Sequence, residues 1–207
     1  VSSMERFGVE LDRNRYARFR VVGGQCYHAG RYVVEADASQ ASYFWAAAAV
    51  TGATVKVLGM SRASGQGDIR FLEVLEAMGC RVDHESDGIS VTGGRLVSVE
   101  VDMADMPDVV PTLAVVAAFA RGTTVIRNVA HLKAKESDRL AVVAGNLARM
   151  GIVAMDDHVG LTVMGGRPTG ARIDPANDHR MAMSFAVAGL VTPGVIIEDE
   201  TCVEKSF

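Results

Sequence analysis

Length, composition and charge are those of an ordinary soluble globular protein. The chain has 207 residues, of which 49% are hydrophobic and 22% charged, and this balance excludes a disordered or fibrous protein. The formal net charge of −4 argues against a nucleic-acid partner, because such binding needs a cationic surface. The longest apolar stretches, residues 44–50 and 113–120, are too short to span a bilayer. Three cysteines without CxxC spacing predict neither a disulfide framework nor a zinc site, and they favour a cytoplasmic location.

One pattern recurs along the chain at intervals of about 70 residues. Asp37, Asp108 and Asp178 each open a run of small apolar residues. Glycine pairs recur at a similar interval: Gly23-Gly24, Gly93-Gly94 and Gly165-Gly166. Since this period exceeds that of common solenoid repeats, each copy should be a complete supersecondary unit. Equivalent loops of such units meet around a pseudo-symmetry axis, so residues far apart in sequence can share one site.

The first 35 residues contain only the tail of one copy. They predict a helix end before Gly8 and short strands over 9–11 and 19–22. We therefore interpret residues 1–35 as the remnant of a neighbouring domain and residues 36–207 as a nearly complete domain. A start without methionine, and an end where a further helix should begin, lead us to expect a piece of a longer polypeptide.

The first full copy predicts five elements. A helix of small residues over 38–50 has Asp37 as its N-cap, and a strand covers 53–57. A second helix over 68–78 carries an apolar stripe at helical spacing. A hairpin follows, with strands over 80–84 and 88–92.

The later copies repeat this order. The second predicts these elements in turn: strand 97–101, helix 109–120, strand 123–127, helix 137–150, and hairpin strands 152–155 and 160–164. The third predicts strand 171–173, helix 179–190 and strand 194–197. This alternation indicates an α/β architecture of repeated βαβαββ units. Uncharged runs over 46–49, 114–118 and 182–188 predict helices that pack closely inside, although small residues are also simply good helix formers.

Four cations lie near the starts of predicted helices: Lys135, Arg139, Arg180 and Lys205. A helix N-terminus disfavours a cation by ~0.3–1 kcal/mol but attracts bound anions. Arginine offers phosphate or carboxylate a bidentate fork, so four cations at equivalent ends favour an anion pocket. Each alone could equally be a solvated charge or an ion-pair partner of Glu136, Asp138 or Asp178.

Asp108 follows Pro107 and precedes an apolar run, and its spacing allows two interpretations. It could cap the following helix, or it could lie beside the cations and accept a proton from a substrate hydroxyl. His131 and His179 are the histidines in the two loops that hold the cations.

Two longer motifs identify a resemblance to a known family. Residues 135–140 read KESDRL and residues 177–183 read NDHRMAM. With Gln66-Gly67-Asp68, Pro107-Asp108 and the segment 30–44, they make the chain similar to 5-enolpyruvylshikimate-3-phosphate synthases along its whole length. The resemblance implies an inside-out α/β barrel-type domain of βαβαββ units, here incomplete. A second such domain would face it across an active-site cleft.

The resemblance also implies a reaction. The 5-hydroxyl of shikimate 3-phosphate attacks C2 of phosphoenolpyruvate, C3 gains a proton, and the tetrahedral adduct expels phosphate. This step belongs to the shikimate pathway to chorismate and the aromatic amino acids, and glyphosate competes for the phosphoenolpyruvate site. No metal or organic cofactor is implied, and the intact protein is expected to be a monomer.

The resemblance assigns roles residue by residue. Asp108 corresponds to the catalytic base and Glu136 to a carboxylate that shuttles protons at the enolpyruvyl carbon. Lys135 and His131, together with Asp108, correspond to contacts of shikimate 3-phosphate. Five residues correspond to contacts of phosphoenolpyruvate in the family: Glu136, Arg139, His179, Arg180 and Lys205.

Several family contacts belong to the other half, including a Ser-Ser-Gln segment, a lysine, an arginine and a glycine. We therefore expect residues 1–207 alone to be inactive and to need the missing N-terminal half. Two alternatives remain open. One is the sister enolpyruvyl transferase acting on UDP-N-acetylglucosamine, and the other is a non-catalytic anion-binding module on the same scaffold. The two motifs disfavour the first, and retention of both Asp108 and Glu136 disfavours the second.

Overall fold

The computed structural model describes residues 1–157, 159–204 and 206, which fall into two units, Val1–Val34 and Glu35–Phe207. In the first unit, helix α1 (Ser2–Arg6) precedes the strands β1 (Leu11–Asn14) and β2 (Arg18–Val21). The two strands pair antiparallel as a hairpin. The prediction of a strand over 9–11 was wrong, because β1 only begins at Leu11.

The second unit opens with a helix and a three-stranded antiparallel sheet. Its elements are α2 (Ala38–Thr51), β3 (Thr54–Leu58), α3 (Phe71–Ala77), β4 (Arg81–His84) and β5 (Gly88–Thr92). The strand order is β3-β5-β4. The predicted helix 68–78 instead begins as a 3₁₀ turn, Gly67–Arg70, which leads into α3.

The next copy is a complete βαβαββ unit. It contains β6 (Glu100–Asp102), α4 (Val110–Ala118), β7 (Thr123–Arg127), α5 (Arg139–Arg149), β8 (Ala154–Asp156) and β9 (Leu161–Met164). The sheet order is β6-β7-β9-β8, with β6 parallel to β7 and the other pairs antiparallel. The predicted strand 97–101 is shorter than expected, since its first part forms only an isolated bridge between Val97 and Arg121.

The last copy holds β10 (Arg172–Ile173), α6 (His179–Gly189) and β11 (Ile196–Ile197), and β10 pairs parallel with β11. The observed order of helices and strands therefore confirms the predicted α/β fold class. Among the described residues, no helix has both the length and the apolar character needed to cross a membrane.

The core lies among α2, α4 and α6, which contact one another. All residues of α4 are buried, as expected for a helix that is apolar on every side. A hydrogen bond of 3.2 Å joins Thr112 Oγ1 of α4 to Ser184 Oγ of α6 inside this core. The prediction that the small-residue helices pack inside is thus confirmed.

The recurring glycines allow the chain to pass close to these helices. A Cβ at Gly93 would lie 2.2 Å from the Ala48 carbonyl oxygen of α2. In the next copy, a Cβ at Gly165 would lie 1.9 Å from the Ala120 carbonyl oxygen, just after α4. Since no real side chain tolerates such distances, these two copies require glycine where the sheet meets its central helix, whereas a Cβ at Gly23 would meet no described atom within 4 Å.

Candidate active site

The N-terminus of α2 is held by two side chains. Asp37 accepts hydrogen bonds from the backbone N–H groups of Ser39 (2.8 Å) and Gln40 (3.3 Å), which confirms its predicted role as N-cap. Gln66 accepts from the Ala38 N–H at 2.8 Å and donates from Nε2 to the Ala36 carbonyl oxygen at 2.8 Å. The first turn of α2 is therefore fixed against the turn that leads into α3.

Asp108 lies in the 3₁₀ turn Pro107–Val109 that precedes α4. Its Oδ1 accepts from Arg139 Nη1 at 3.0 Å and its Oδ2 from Arg180 Nη2 at 3.1 Å. Lys135 Nζ lies 3.7 Å from Oδ1. Three cations therefore surround the Asp108 carboxylate, and its side chain caps neither the 3₁₀ turn nor α4. The interpretation of Asp108 as a helix N-cap was wrong.

Arg139 forms a buried ion pair with Asp178. Arg139 is the first residue of α5, and its Nε donates to Asp178 Oδ2 at 2.8 Å. Asp178 also caps α6 by accepting from the Arg180 N–H at 2.9 Å, and it accepts from Ser137 Oγ at 3.1 Å. Asp178 is fully buried and Arg139 is 2% exposed.

Both members of this pair stay charged. Burial alone would raise the pKa of Asp178, but the hydrogen bonds and the charge of Arg139 lower it below its usual value. Burial alone would lower the pKa of Arg139, but Asp178 and Asp108 together raise it. Opposite charges that stabilise one another in this way are the usual solution for ions inside a protein.

Glu136 and His179 form a second pair beside the first. His179 Nδ1 lies 3.0 Å from Glu136 Oε2, and Arg139 Nη2 lies 3.6 Å from the same oxygen. His179 is the first residue of α6 and is 8% exposed, whereas the Glu136 side chain is 40% exposed. A histidine that holds an accessible carboxylate is an arrangement suited to proton transfer.

Three of these side chains are of types that bind metals. Ligand atoms of Glu136, Asp178 and His179 all lie within 4.8 Å of one another. Both Asp178 oxygens, however, already accept from Arg139, at 2.8 and 3.4 Å. The guanidinium already supplies a positive charge there, so the cluster is better described as an ion-pair network.

Two further groups near this network were not anticipated as site residues. The pKa of Asp68 is raised to about 6, mainly by burial and then by the charges of Asp108 and Asp37, while Arg180 and Lys135 act in the opposite direction. Burial likewise raises the pKa of Tyr43 to about 12, while the Arg180 guanidinium acts in the opposite direction. Asp68 belongs to the Gln66-Gly67-Asp68 motif, which could have drawn attention to it.

The structure brings six of the eight predicted site residues into one network: Asp108, Lys135, Glu136, Arg139, His179 and Arg180. Arg139 and Arg180 are at helix starts as predicted, but Lys135 is not, since it follows the 3₁₀ turn Ala130–Ala134. His131 is exposed in that turn, and no hydrogen bond or ion pair between described residues connects it to the network. Lys205 lies outside the described residues.

Comparisons with known proteins point in one direction. The model of the family described as EPSP synthase (3-phosphoshikimate 1-carboxyvinyltransferase) matches residues 1–207. Proteins named 3-phosphoshikimate 1-carboxyvinyltransferase from Syntrophobacter fumaroxidans and Methanoculleus marisnigri are 50% and 48% identical over 100% and 99% of this chain. The chain spans about half the length of these relatives, 50% and 49% respectively. A solved EPSP synthase from Acinetobacter baumannii superposes with a TM-score of 0.82 at 29% identity, over 98% of this chain and 50% of that one.

Proposed function

Because the chain belongs to the EPSP synthase (3-phosphoshikimate 1-carboxyvinyltransferase) family, we propose that it forms one half of an enolpyruvyl transferase. The intact enzyme would move the carboxyvinyl group of phosphoenolpyruvate to the 5-hydroxyl of shikimate 3-phosphate and release phosphate. The observation that carries this proposal is the convergence of Lys135, Arg139 and Arg180 on the single carboxylate of Asp108.

This convergence suits two substrates that both carry negative charge. Bringing two such anions together in one site costs electrostatic energy unless fixed cations offset it. The Arg180 side chain, 14% exposed, and that of Lys135, 37% exposed, face partly outward. Asp108 balances part of their charge, and phosphate or carboxylate groups of the substrates would take over part of that role.

Asp108 is the group proposed to start the reaction. It would accept the proton of the 5-hydroxyl while that oxygen forms its bond to C2 of phosphoenolpyruvate. The ion pairs with Arg139 and Arg180 hold the carboxylate in place at 3.0 and 3.1 Å. Such fixed geometry is a large part of what an enzyme contributes to a reaction between two bound molecules.

Glu136 is the group proposed to handle the proton at C3. As the new C2–O bond forms, C3 would take a proton and give the tetrahedral adduct. C3 would then return a proton to the protein as the C2–O bond to phosphate breaks. His179 at 3.0 Å and Arg139 at 3.6 Å from Glu136 Oε2 are placed to stabilise the ionised carboxylate between these steps.

The remaining assignments are proposals of the same kind. His131 and Lys135 would contact shikimate 3-phosphate, and Lys205 would join Arg139, His179 and Arg180 around phosphoenolpyruvate. The chain alone would be inactive, with the other half of the same protein completing a monomeric enzyme without a cofactor. Cys26 and Cys80 are free cysteines among the described residues, which fits the reducing cytoplasm.

Ligand-dependent stabilisation of the full-length protein tests the substrate assignment. Shikimate 3-phosphate at about 100 times its Kd should stabilise the folded protein by about 2.7 kcal/mol and raise its melting temperature. UDP-N-acetylglucosamine at the same concentration should leave it unchanged. A shift with the nucleotide sugar and none with shikimate 3-phosphate would assign the protein to the sister reaction.

A further inference from the structure

Two polar atoms near Asp108 are buried without a hydrogen-bond partner among the described residues. They are Oη of Tyr43, on α2, and Nη1 of Arg180, on α6. Tyr43 is 6% exposed, so water cannot easily supply the hydrogen bond that its hydroxyl lacks. Since native proteins pair most buried polar groups, two unpaired atoms on helices in contact need an explanation.

The two atoms are neighbours and chemically complementary. The Arg180 guanidinium opposes the effect of burial on the pKa of the Tyr43 hydroxyl both by its charge and by a side-chain interaction at hydrogen-bond range. The two groups are therefore close, but the contact lacks the geometry of a well-formed hydrogen bond. Arginine only donates hydrogen bonds, whereas a neutral phenol oxygen can accept one and donate another. With a pKa of about 12, Tyr43 stays neutral under ordinary conditions and keeps both capacities.

Among the described residues, a well-formed side-chain hydrogen bond restrains the Arg180 guanidinium at Nη2 but not at Nη1. Nη2 donates to Asp108 Oδ2 at 3.1 Å, while Nη1 makes no hydrogen bond within the part of the chain that the structure describes. An anionic ligand that draws Nη2 away from Asp108 would remove this restraint. A third buried atom without a hydrogen-bond partner, Gln40 Oε1, lies three residues before Tyr43 on α2, a spacing that places both residues on one face of the helix.

We propose that Tyr43 is a positioning residue for Arg180. The Tyr43 hydroxyl accepts a hydrogen bond from Arg180 Nη1 and holds the guanidinium in the orientation that binds phosphoenolpyruvate. This inference rests on the proposed function, in which Arg180 binds that substrate. It extends the site to α2, which supplies none of the residues assigned above. Tyr43 acts through Arg180 and need not touch the reacting atoms.

Steady-state kinetics of Tyr43→Phe in the full-length protein test this role. The substitution removes one oxygen and keeps the buried ring, so folding should be preserved. We expect KM for phosphoenolpyruvate to rise about tenfold, the scale of one hydrogen bond to a charged group. The value of kcat should stay within about threefold and KM for shikimate 3-phosphate should not change, because only binding of one substrate is weakened.

Arg180→Lys provides the second arm. Without a guanidinium the tyrosine oxygen has nothing to orient, so Tyr43→Phe should add less than about twofold in that background. Tyr16→Phe, at a tyrosine that is 86% exposed, is the matched control and should behave as the unchanged protein. Melting temperatures of all variants would reveal a merely structural effect, which would lower stability without the selective rise in KM.

The outcomes separate the two proposals. If the protein without substitutions is active and Tyr43→Phe leaves its kinetic constants unaffected, the inference about Tyr43 alone is overturned. The same holds if Tyr43→Phe has an equal effect with Arg180 and with Arg180→Lys. An unchanged protein that fails to turn over phosphoenolpyruvate with shikimate 3-phosphate would overturn the proposed function and this inference with it.

Discussion

Arg139 and Asp178 form an ion pair inside the protein, with Nε 2.8 Å from Oδ2. Asp178 is the N-cap of α6 and Arg139 the first residue of α5, so the pair ties together the starts of two helices. Because Nε is engaged by Asp178, Nη1 is directed at Asp108, 3.0 Å away. A contact made for structure therefore sets the geometry of the proposed catalytic carboxylate.

Asp178→Asn should destabilise the chain strongly. The substitution leaves Arg139 buried with only part of its charge balanced, and breaking such a pair costs about 3–5 kcal/mol. Urea unfolding of the 207-residue chain would measure the loss. Glu100→Gln is the matched control, because its pair with Arg127 is solvent-exposed on both sides and should leave the midpoint unchanged. A midpoint for Asp178→Asn equal to that of the control would show that the buried pair does not stabilise the fold.

Asp108→Ala should mainly lower kcat. A general base contributes roughly 100-fold or more to a rate, whereas the freed Arg139 and Arg180 remain able to bind anions. Arg180→Ala should instead mainly raise KM for phosphoenolpyruvate. Phosphate release by the full-length protein would measure both constants. If Asp108→Ala left kcat within about twofold, its assignment as base would fail.

Asp68→Asn should stabilise the protein above neutral pH. The carboxyl has a pKa of about 6 in the folded state against 3.8 for an unperturbed group. The folded state therefore binds the proton more tightly, and stability falls as pH rises from about 4 to about 6. Asparagine avoids the buried charge, with an expected gain of about 1–2 kcal/mol at pH 7.5. Unfolding curves at pH 4 and pH 7.5 test this, and a gain that is equal at both values would contradict it.

Gly165→Ala should destabilise the fold by about 2 kcal/mol, since overpacking against rigid backbone costs 1–3 kcal/mol. Its Cβ would meet the Ala120 carbonyl oxygen at 1.9 Å. Gly145→Ala is the control within α5, where no heavy atom lies within 4 Å of an added Cβ, and it should stabilise by about 1 kcal/mol through helix propensity. Thermal unfolding of the two variants should shift in opposite directions, and a common direction would refute the packing argument.

Sequence patterns were sufficient for the architecture. Strong apolar periodicity and turn residues predicted the second copy almost element by element, because its strands and helices are stabilised by local preferences and simple burial. Boundaries were less accurate where backbone geometry changes gradually, as in the 3₁₀ turn Gly67–Arg70 before α3. Such turns depend on tertiary contacts, here the close approach of Gly67 to the Asp105 carbonyl oxygen.

The sequence predicts most residues of the site but not the ion pairs and hydrogen bonds between them. Helix-start positions and the family motifs singled out Arg139, Arg180 and Asp108. The sequence does not determine which charges pair, since pairing depends on how copies separated by about 70 residues pack around the axis. In the sequence Asp178 stands out only as a repeat marker and as one of several candidate ion-pair partners. Tyr43, on a predominantly apolar helix, carries no pattern that predicts a polar role.

Steady-state phosphate release by the full-length protein tests the central claim most directly. With phosphoenolpyruvate and shikimate 3-phosphate together, phosphate should appear at a rate that saturates with each substrate. Omission of shikimate 3-phosphate, or its replacement by UDP-N-acetylglucosamine, should abolish release. Phosphate release that is independent of shikimate 3-phosphate, or absent with both substrates present, would contradict the account of Asp108 and its three cations as the centre of an enolpyruvyl transfer site.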